Sequence, residues 1–77
     1  MNKEPDYFLD ITNEVCPLTF VKSKLLIERM KSGELALIRL KGAEPLRNVP
    51  KSIAELGHKI LKLTEEDGAH SLYVEKA

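Results

Sequence analysis

Apolar and polar residues follow one another in six blocks, and each block has the period of one type of secondary structure. Alternation every second residue indicates a half-buried strand, whereas apolar residues three and four positions apart indicate an amphipathic helix. The pattern predicts strands at 7–11, 34–40, 59–64 and 71–75, and helices at 17–32 and within 46–56. The order βαβαββ is typical of a two-layer α/β (α+β) sandwich, in which two helices pack on one face of a four-stranded mixed sheet.

The predicted strands differ in how much of their surface is apolar. The apolar face of the first strand comprises Tyr7, Leu9 and Ile11. The second, at 34–40, is a nearly unbroken apolar run, which indicates a central and largely covered strand. Asp67-Gly68 is a typical hairpin dipeptide, and the strand after it directs Leu72 and Val74 inward.

The first predicted helix carries two apolar stripes. Its uncharged arc is predicted to face the core and comprises Thr19, Phe20, Ser23, Leu26, Ile27 and Met30. A second stripe, Leu18, Val21 and Leu25, lies among charged positions. Periodicity leaves two interpretations of this stripe open: a wide buried face, or an exposed surface on which a partner protein docks. Gly33 is the predicted stop of the helix.

The second helix is predicted from a single apolar stripe, which comprises Leu46, Val49, Ile53 and Leu56. The preceding segment, 41–45, contains glycine and proline and is predicted to be a loop. Pro50 is tolerated best in the first turn of a helix, which leaves the start of this helix open by a few residues. Gly57 is the predicted C-terminal cap.

Composition narrows the class of protein. Seventy-seven residues make one domain, predicted at 7–77, after a polar, proline-containing leader at 1–6 that we expect to be flexible. Twelve basic residues balance twelve acidic ones, which argues against a nucleic-acid partner. The sequence has no apolar run of membrane-spanning length and no apolar signal core, so we predict a cytoplasmic protein without a membrane partner.

The candidate chemistry is at Cys16, which is the only cysteine of the chain. A single cysteine excludes an internal disulfide, and with two histidines it gives too few ligands for a zinc site. Pro17 suits the first position of a helix, which leaves Cys16 at or near the N-cap. There the free backbone N–H groups and the helix dipole favour the thiolate, which is the reactive form of cysteine. A buried, inert cysteine is the structural alternative.

The residues around Cys16 are similar to a known motif. The segment 10–17, Asp-Ile-Thr-Asn-Glu-Val-Cys-Pro, resembles the D-x-x-G-x-x-C-P motif of the TusA/SirA-like sulfur-carrier family. Downstream segments also resemble the family, namely Glu44-Pro45, Arg47-Asn48-Val49-Pro50, Gly57-His58 and Asp67-Gly68. Two positions depart from it. Asn13 replaces the family glycine, a mild change because asparagine also visits left-handed dihedrals. Thr19 replaces the second proline of C-P-x-P.

The resemblance implies the same βαβαββ fold and a function in sulfur trafficking. Cys16 is then a nucleophile that carries sulfur as a persulfide, without a metal or organic cofactor. The implied partners are a donor protein, such as a cysteine desulfurase or a rhodanese-like protein, and an acceptor protein. Family members supply tRNA thiolation, molybdenum-cofactor maturation or sulfur oxidation. The residues that support the motif are Asp10, Asn13, Pro17 and Thr19, and those assigned to partner contact are Leu18, Val21 and Leu25.

Two other functions fit the sequence. A non-catalytic RNA- or protein-binding regulatory module could have the same fold, although the zero net charge argues against RNA. A redox-sensing thiol, in which Cys16 forms an intermolecular or mixed disulfide, is the other alternative.

Overall fold

The computed structural model describes residues 4–14 and 18–77. Two parts of the sequence predictions, the first three residues of the leader and the helix start at Pro17, lie outside the described residues. The elements, in chain order, are β1 (Tyr7–Asp10), α1 (Leu18–Arg29), β2 (Leu35–Leu40), α2 (Ala43–Glu55), β3 (Lys59–Glu66) and β4 (Ala69–Glu75). The predicted order and the two-layer architecture are confirmed.

The four strands form one mixed sheet in the order β1-β2-β4-β3. β1 runs parallel to β2, with Tyr7 opposite Ala36, and the connection between them is α1. β4 is antiparallel to both of its neighbours and places Leu72 between Ile38 of β2 and Leu63 of β3. The apolar strand β2 is therefore central, as its sequence predicts.

The core lies between the sheet and the two helices. On β2 the alternate residues Ala36, Ile38 and Leu40 are fully buried, and across the sheet Leu72 and Val74 are buried with them. The helices, together with Met30 directly after α1, cover this face with a second set of buried side chains, namely Leu26, Ile27, Val49 and Ile53. Tyr7 and Leu9 pack against the same cluster. The predicted inward faces of β1, β4 and α1 are thus confirmed.

α1 ends at Arg29, three residues before the predicted end. The last turn tightens, because the N–H of Met30 donates to the carbonyl of Ile27 at 3.0 Å. The Glu34 carboxylate then accepts the N–H of Lys31 at 2.7 Å, and Gly33 has a φ of 86°. Glycine at 33 therefore does reverse the chain, while side-chain and backbone bonds end the helix before it.

The predicted loop at 41–45 is too long: residues 43–45 belong to α2, which begins at Ala43. Pro45 lies in the first turn, where a missing N–H costs no helical hydrogen bond. Pro50 lies inside the helix rather than in its first turn. Pro50 cannot donate a backbone hydrogen bond, so α2 lacks one helical bond at this position. The burial of Val49 and Ile53, on one face of the helix, offsets this loss.

The predicted stripe of α2 is confirmed at Val49 and Ile53 but is wrong at Leu56, which is 47% exposed. Leu56 is the C-cap, and the chain turns there. Gly57 has a φ of 97°, its N–H donates to Ala54, and the N–H of His58 donates to Ile53. These two bonds form a Schellman motif, so the predicted glycine cap is confirmed.

β3 and β4 are both two residues longer than predicted. The turn between them is confined to Asp67 and Gly68, with φ values of 50° and 80°. Two successive positive φ values define the type I′ turn, whose twist matches that of the flanking strands. The strands therefore pair up to Glu66 opposite Ala69.

His58 ties the C-terminal residues to the end of α2, since its Nδ1 accepts the N–H of Ala77 at 3.1 Å. Burial, and then the charge of Lys76, lower the pKa of His58. The unfolded chain therefore binds the proton more readily than the folded chain. The contribution of neutral His58 to stability is complete above a pH of about 6.5 and is lost as the pH falls below that value.

We expect urea-unfolding curves to show a small loss of stability between about pH 7 and pH 5.5, and His58→Gln to remove that part of the pH dependence. Ala54→Gln, at an exposed position near the end of α2, is the control, because it introduces the same side chain and keeps His58, so the pH dependence should stay in place. If the stability of wild type and of His58→Gln depended on pH in the same way, the pH dependence could not be assigned to His58.

Candidate functional site

The candidate nucleophile Cys16 lies outside the described residues, as do Val15 and Pro17. The site is therefore built from the two segments that flank it, the turn up to Glu14 and the helix from Leu18. The turn is defined by a bond from the N–H of Glu14 to the carbonyl of Ile11 at 3.1 Å, while Ile11 itself is buried. A buried side chain thus fixes the base of the loop.

Asp10 ends β1 and holds the turn from its other side. Its Oδ1 accepts the backbone N–H of Thr12 at 3.0 Å and the hydroxyl of Thr12 at 2.7 Å. The backbone bond, followed by the hydroxyl bond, lowers the pKa of Asp10, and nearby Arg39 acts in the same direction. Asp10 therefore stays ionised at neutral pH and forms an Asx-turn with Thr12 directly after β1.

Asn13 is exposed at the outer corner of this turn. Among described residues other than glycine, only Asp67 has a positive φ, so Asn13 forms the turn outside the left-handed region. The replacement of the family glycine at this position therefore costs no backbone strain in the described conformation.

Glu14 and Lys22 form an ion pair that the sequence analysis did not identify. The Lys22 Nζ lies 2.7 Å from a carboxylate oxygen of Glu14, and their side chains are 45% and 29% exposed. The pair links the residue before the undescribed segment to the second turn of α1. An exposed pair contributes about 1 kcal/mol or less, so it connects the turn to α1 without stabilising the domain much.

Thr19 lies on the buried face of α1 and is completely shielded from solvent. Its carbonyl accepts the hydroxyl of Ser23, itself fully buried, at 2.8 Å. Threonine in place of the second motif proline is thus accommodated inside the core, as the sequence predicts for this arc. The first turn of α1 contains no acidic residue, so no charge there opposes the positive end of the helix dipole.

The second stripe of α1 is exposed, which decides between its two interpretations. Leu18, Val21 and Leu25 are 46%, 41% and 56% exposed. They form an apolar surface that starts two residues after Cys16 and runs along the helix. We call these three residues the helix stripe. Burial is thereby excluded as its role, while contact with a partner stays a prediction.

A cleft of about 460 Å³ continues the helix stripe toward the edge of the sheet. It is lined by Leu9, Lys22, Leu25, Leu26, Glu28 and Arg29. An apolar floor with a charged rim is common in surfaces that bind proteins. The sequence places Leu25 on an apolar stripe but does not predict a cleft. The cleft depends on the proximity of Leu25 to Leu9, which is set by the packing of α1 beside β1.

Among residues 4–14 and 18–77, no three metal-binding side chains lie close enough together to hold an ion. None of the helices in this part of the chain is long and apolar enough to cross a membrane.

Comparison with known proteins gives a family and two relatives. The model of a family described as sulfurtransferase TusA matches residues 7–76. A protein of Archaeoglobus fulgidus named "Putative sulfur carrier protein" is 42% identical over 60 residues, which cover 78% of this chain and 68% of the relative. A Thermotoga maritima protein of the same name is 32% identical over 57 residues, or 74% and 72% of the two chains.

Two solved structures have the same fold. A SirA-like protein of Desulfitobacterium hafniense superposes with a TM-score of 0.78 at 18% identity, covering 90% of this chain and 95% of that one. The solution structure of a Helicobacter pylori protein gives a TM-score of 0.68 at 15% identity, with the same coverage. At these identities the two structures establish the architecture alone.

Proposed function

Because the chain belongs to the sulfurtransferase TusA family, we propose that it is a sulfur carrier that binds a sulfane sulfur on Cys16 as a persulfide. The names of the family and of its relatives support the carrier role. The observation that carries the proposal is the match over residues 7–76, which includes the only cysteine of the sequence.

The proposed transfer is redox-neutral and needs no cofactor. The Cys16 thiolate attacks the terminal sulfur of a persulfide on the donor protein, either a cysteine desulfurase or a rhodanese-like protein. A new S–S bond forms on Cys16, the donor S–S bond breaks, and its electron pair leaves with the donor cysteine as a thiolate. A nucleophilic sulfur of the acceptor protein then attacks the terminal sulfur and regenerates the Cys16 thiolate.

The surroundings of the loop support this chemistry. α1 begins two residues after position 16, and the positive end of its dipole favours a thiolate near its start. Asp10 and Ile11 hold the preceding turn, and Lys22 is tied to Glu14. We also propose that the protein acts in the reducing cytoplasm, where a thiol is kept free. Incubation with a cysteine desulfurase and cysteine tests the proposal directly, because the mass of the chain should then increase by one sulfur atom.

We propose that the donor and acceptor proteins dock on the helix stripe. Its three side chains are exposed, apolar and close in sequence to Cys16, so a partner that covers them brings its own reactive cysteine to the loop.

Leu25→Asp is expected to lower the rate of sulfur transfer from the donor about tenfold, because it places a charge in the centre of the apolar contact. The side chain is 56% exposed, so thermal unfolding should change little. The rate at subsaturating chain concentration is the measurement. Leu56→Asp, at a 47% exposed leucine of α2, is the matched control and should transfer sulfur at the wild-type rate. Equal rates for all three chains would contradict docking on the stripe.

A further inference from the structure

The sheet has an open face on the side away from the helices, and its centre is apolar. Phe8, Leu37 and Tyr73 are cross-strand neighbours in one row, which Lys62 continues on β3. Their alternation with the core residues Ala36, Ile38 and Leu72 places all four on the open face. Phe8 is 59% exposed, the largest exposure of any large hydrophobic residue in the described part of the chain.

The neighbouring row contains one apolar residue, Leu35. Leu35 is only 7% exposed and yet lies outside the core cluster. By alternation it shares the open face with Leu37, and its register partner is Glu75. The apolar part of the open face therefore consists of Phe8, Leu37 and Tyr73 with Leu35 beside them, and no second layer covers it among the described residues.

Charged side chains lie along both edges of this face. At the β1 edge are the exposed acids Asp6 and Asp10, and at the β3 edge are the exposed bases Lys59 and Lys62. Arg39 lies beside Asp10 on β2 and partly neutralises it. By the same alternation, Glu66 at the β3 edge and Glu75 on β4 also lie on this face. The two rows that begin with Asp6 and Phe8 at the β1 edge end in the bases Lys59 and Lys62 at the β3 edge.

We propose that the open sheet face binds a second copy of this chain, with a two-fold axis parallel to the strands. This symmetry reverses the strand order of the second copy, so that its β3 lies over β1 of the first. Asp6 then faces Lys59 of the other copy, and Phe8 faces Lys62, whose ammonium can lie over the ring. Leu37 faces Tyr73, and every contact occurs twice.

The alternative axis, perpendicular to the strands, is disfavoured by the same charges. It would place β1 over β1 and β3 over β3 of the other copy. Asp10 would then lie near Asp6 of the other copy, and the two Lys62 side chains would face each other, so that like charges repel. Two twisted sheets packed face to face keep their strands within about 30° of each other, which preserves the facing rows of the parallel arrangement.

The size of the face makes this a weak, reversible dimer. Four strands spaced about 4.8 Å apart and six residues long span roughly 400 Å² per copy. This area belongs to the class of small, transient interfaces rather than obligate dimers. The helix layer lies on the other side of the sheet, so the helix stripe of each copy stays accessible. The dimer thus does not depend on the proposed sulfur chemistry.

Sedimentation or NMR diffusion between about 10 μM and about 1 mM tests the association. We expect the average mass of wild type to rise with concentration, and Phe8→Asp to weaken association at least about tenfold. Leu63→Asp is the control, because it places the same charge on β3 but on the opposite face, at a 44% exposed leucine. A wild type that stays monomeric at about 1 mM, or equal weakening by both variants, would overturn the proposal.

Disulfide trapping tests the orientation. Phe8→Cys and Lys62→Cys, each made in a Cys16→Ser chain, are mixed in equal amounts and oxidised. The parallel axis predicts mainly the mixed 8–62 disulfide, with circular dichroism unchanged in both variants. A predominance of 8–8 and 62–62 disulfides would overturn the proposed axis, and trapping no faster than in denaturant would overturn the interface.

Discussion

Replacement of Cys16 by serine is expected to abolish sulfur uptake from a cysteine desulfurase. The serine hydroxyl is similar in size to the thiol, but it is not ionised at neutral pH and cannot form a persulfide. Wild type should gain the mass of one sulfur atom per chain on incubation with the desulfurase and cysteine. The variant should gain none, which makes this the largest functional effect that we predict.

Intact mass spectrometry checks this expectation, and a reductant distinguishes the chemistry. Dithiothreitol should remove the added mass and release sulfide, whereas a mixed disulfide with cysteine would add a larger mass and release no sulfide. Circular dichroism of Cys16→Ser should match that of wild type. Wild type that gains no sulfur from either class of donor protein would refute the carrier proposal. Sulfide release therefore distinguishes a persulfide on Cys16 from the disulfide that a redox-sensing thiol would form.

Leu72→Ala is expected to have the largest effect on stability. Leu72 is completely buried in β4, between Ile38 and Leu63 of the adjacent strands. Removal of a fully buried leucine costs about 2–5 kcal/mol, from lost transfer free energy and the cavity that remains. For a domain of this length, each 1 kcal/mol corresponds to about 4–8 °C in Tm. The total stability of a small domain is itself about 5–15 kcal/mol, so much of it would be lost.

The matched control is Leu63→Ala, at the cross-strand neighbour of Leu72. Leu63 is 44% exposed, so its truncation leaves no enclosed cavity and should cost about 1 kcal/mol or less. Urea unfolding followed by circular dichroism gives both free energies, and an unchanged m-value validates their comparison. Equal destabilisation by the two substitutions would show that Leu72 does not have the central position that the register gives it.

Local patterns in the sequence predict much of this fold because each depends on neighbours within one turn or strand. Asp67-Gly68 specifies its hairpin turn, since only residues that tolerate positive φ fit both positions. The buried arc of α1 follows from helical spacing, and it includes the polar residues Thr19 and Ser23, which bond within the helix. These elements agree with the structure because the determining contacts are local.

The errors occur where the outcome depends on distant contacts. Proline at 45 and 50 suggested a later start for α2, but Val49 and Ile53 bury completely and hold the helix together around Pro50. Leu56 matches the stripe of α2 in spacing and is nevertheless exposed, because the Schellman turn at Gly57 directs the chain away at that point. Spacing alone contains no information on where the opposing surface ends.

By itself the sequence determined the order of the elements, the core faces of α1 and β4, and the candidate nucleophile, since all of these depend on residue type and period. Only the tertiary structure decided that the helix stripe is exposed, because two apolar stripes on one helix look alike until one of them packs. It also decided the cleft between Leu9 and Leu25, the Glu14–Lys22 pair and the charged edges of the open sheet face. Each of these joins residues from different elements, and such juxtapositions are set by packing and register rather than by local pattern.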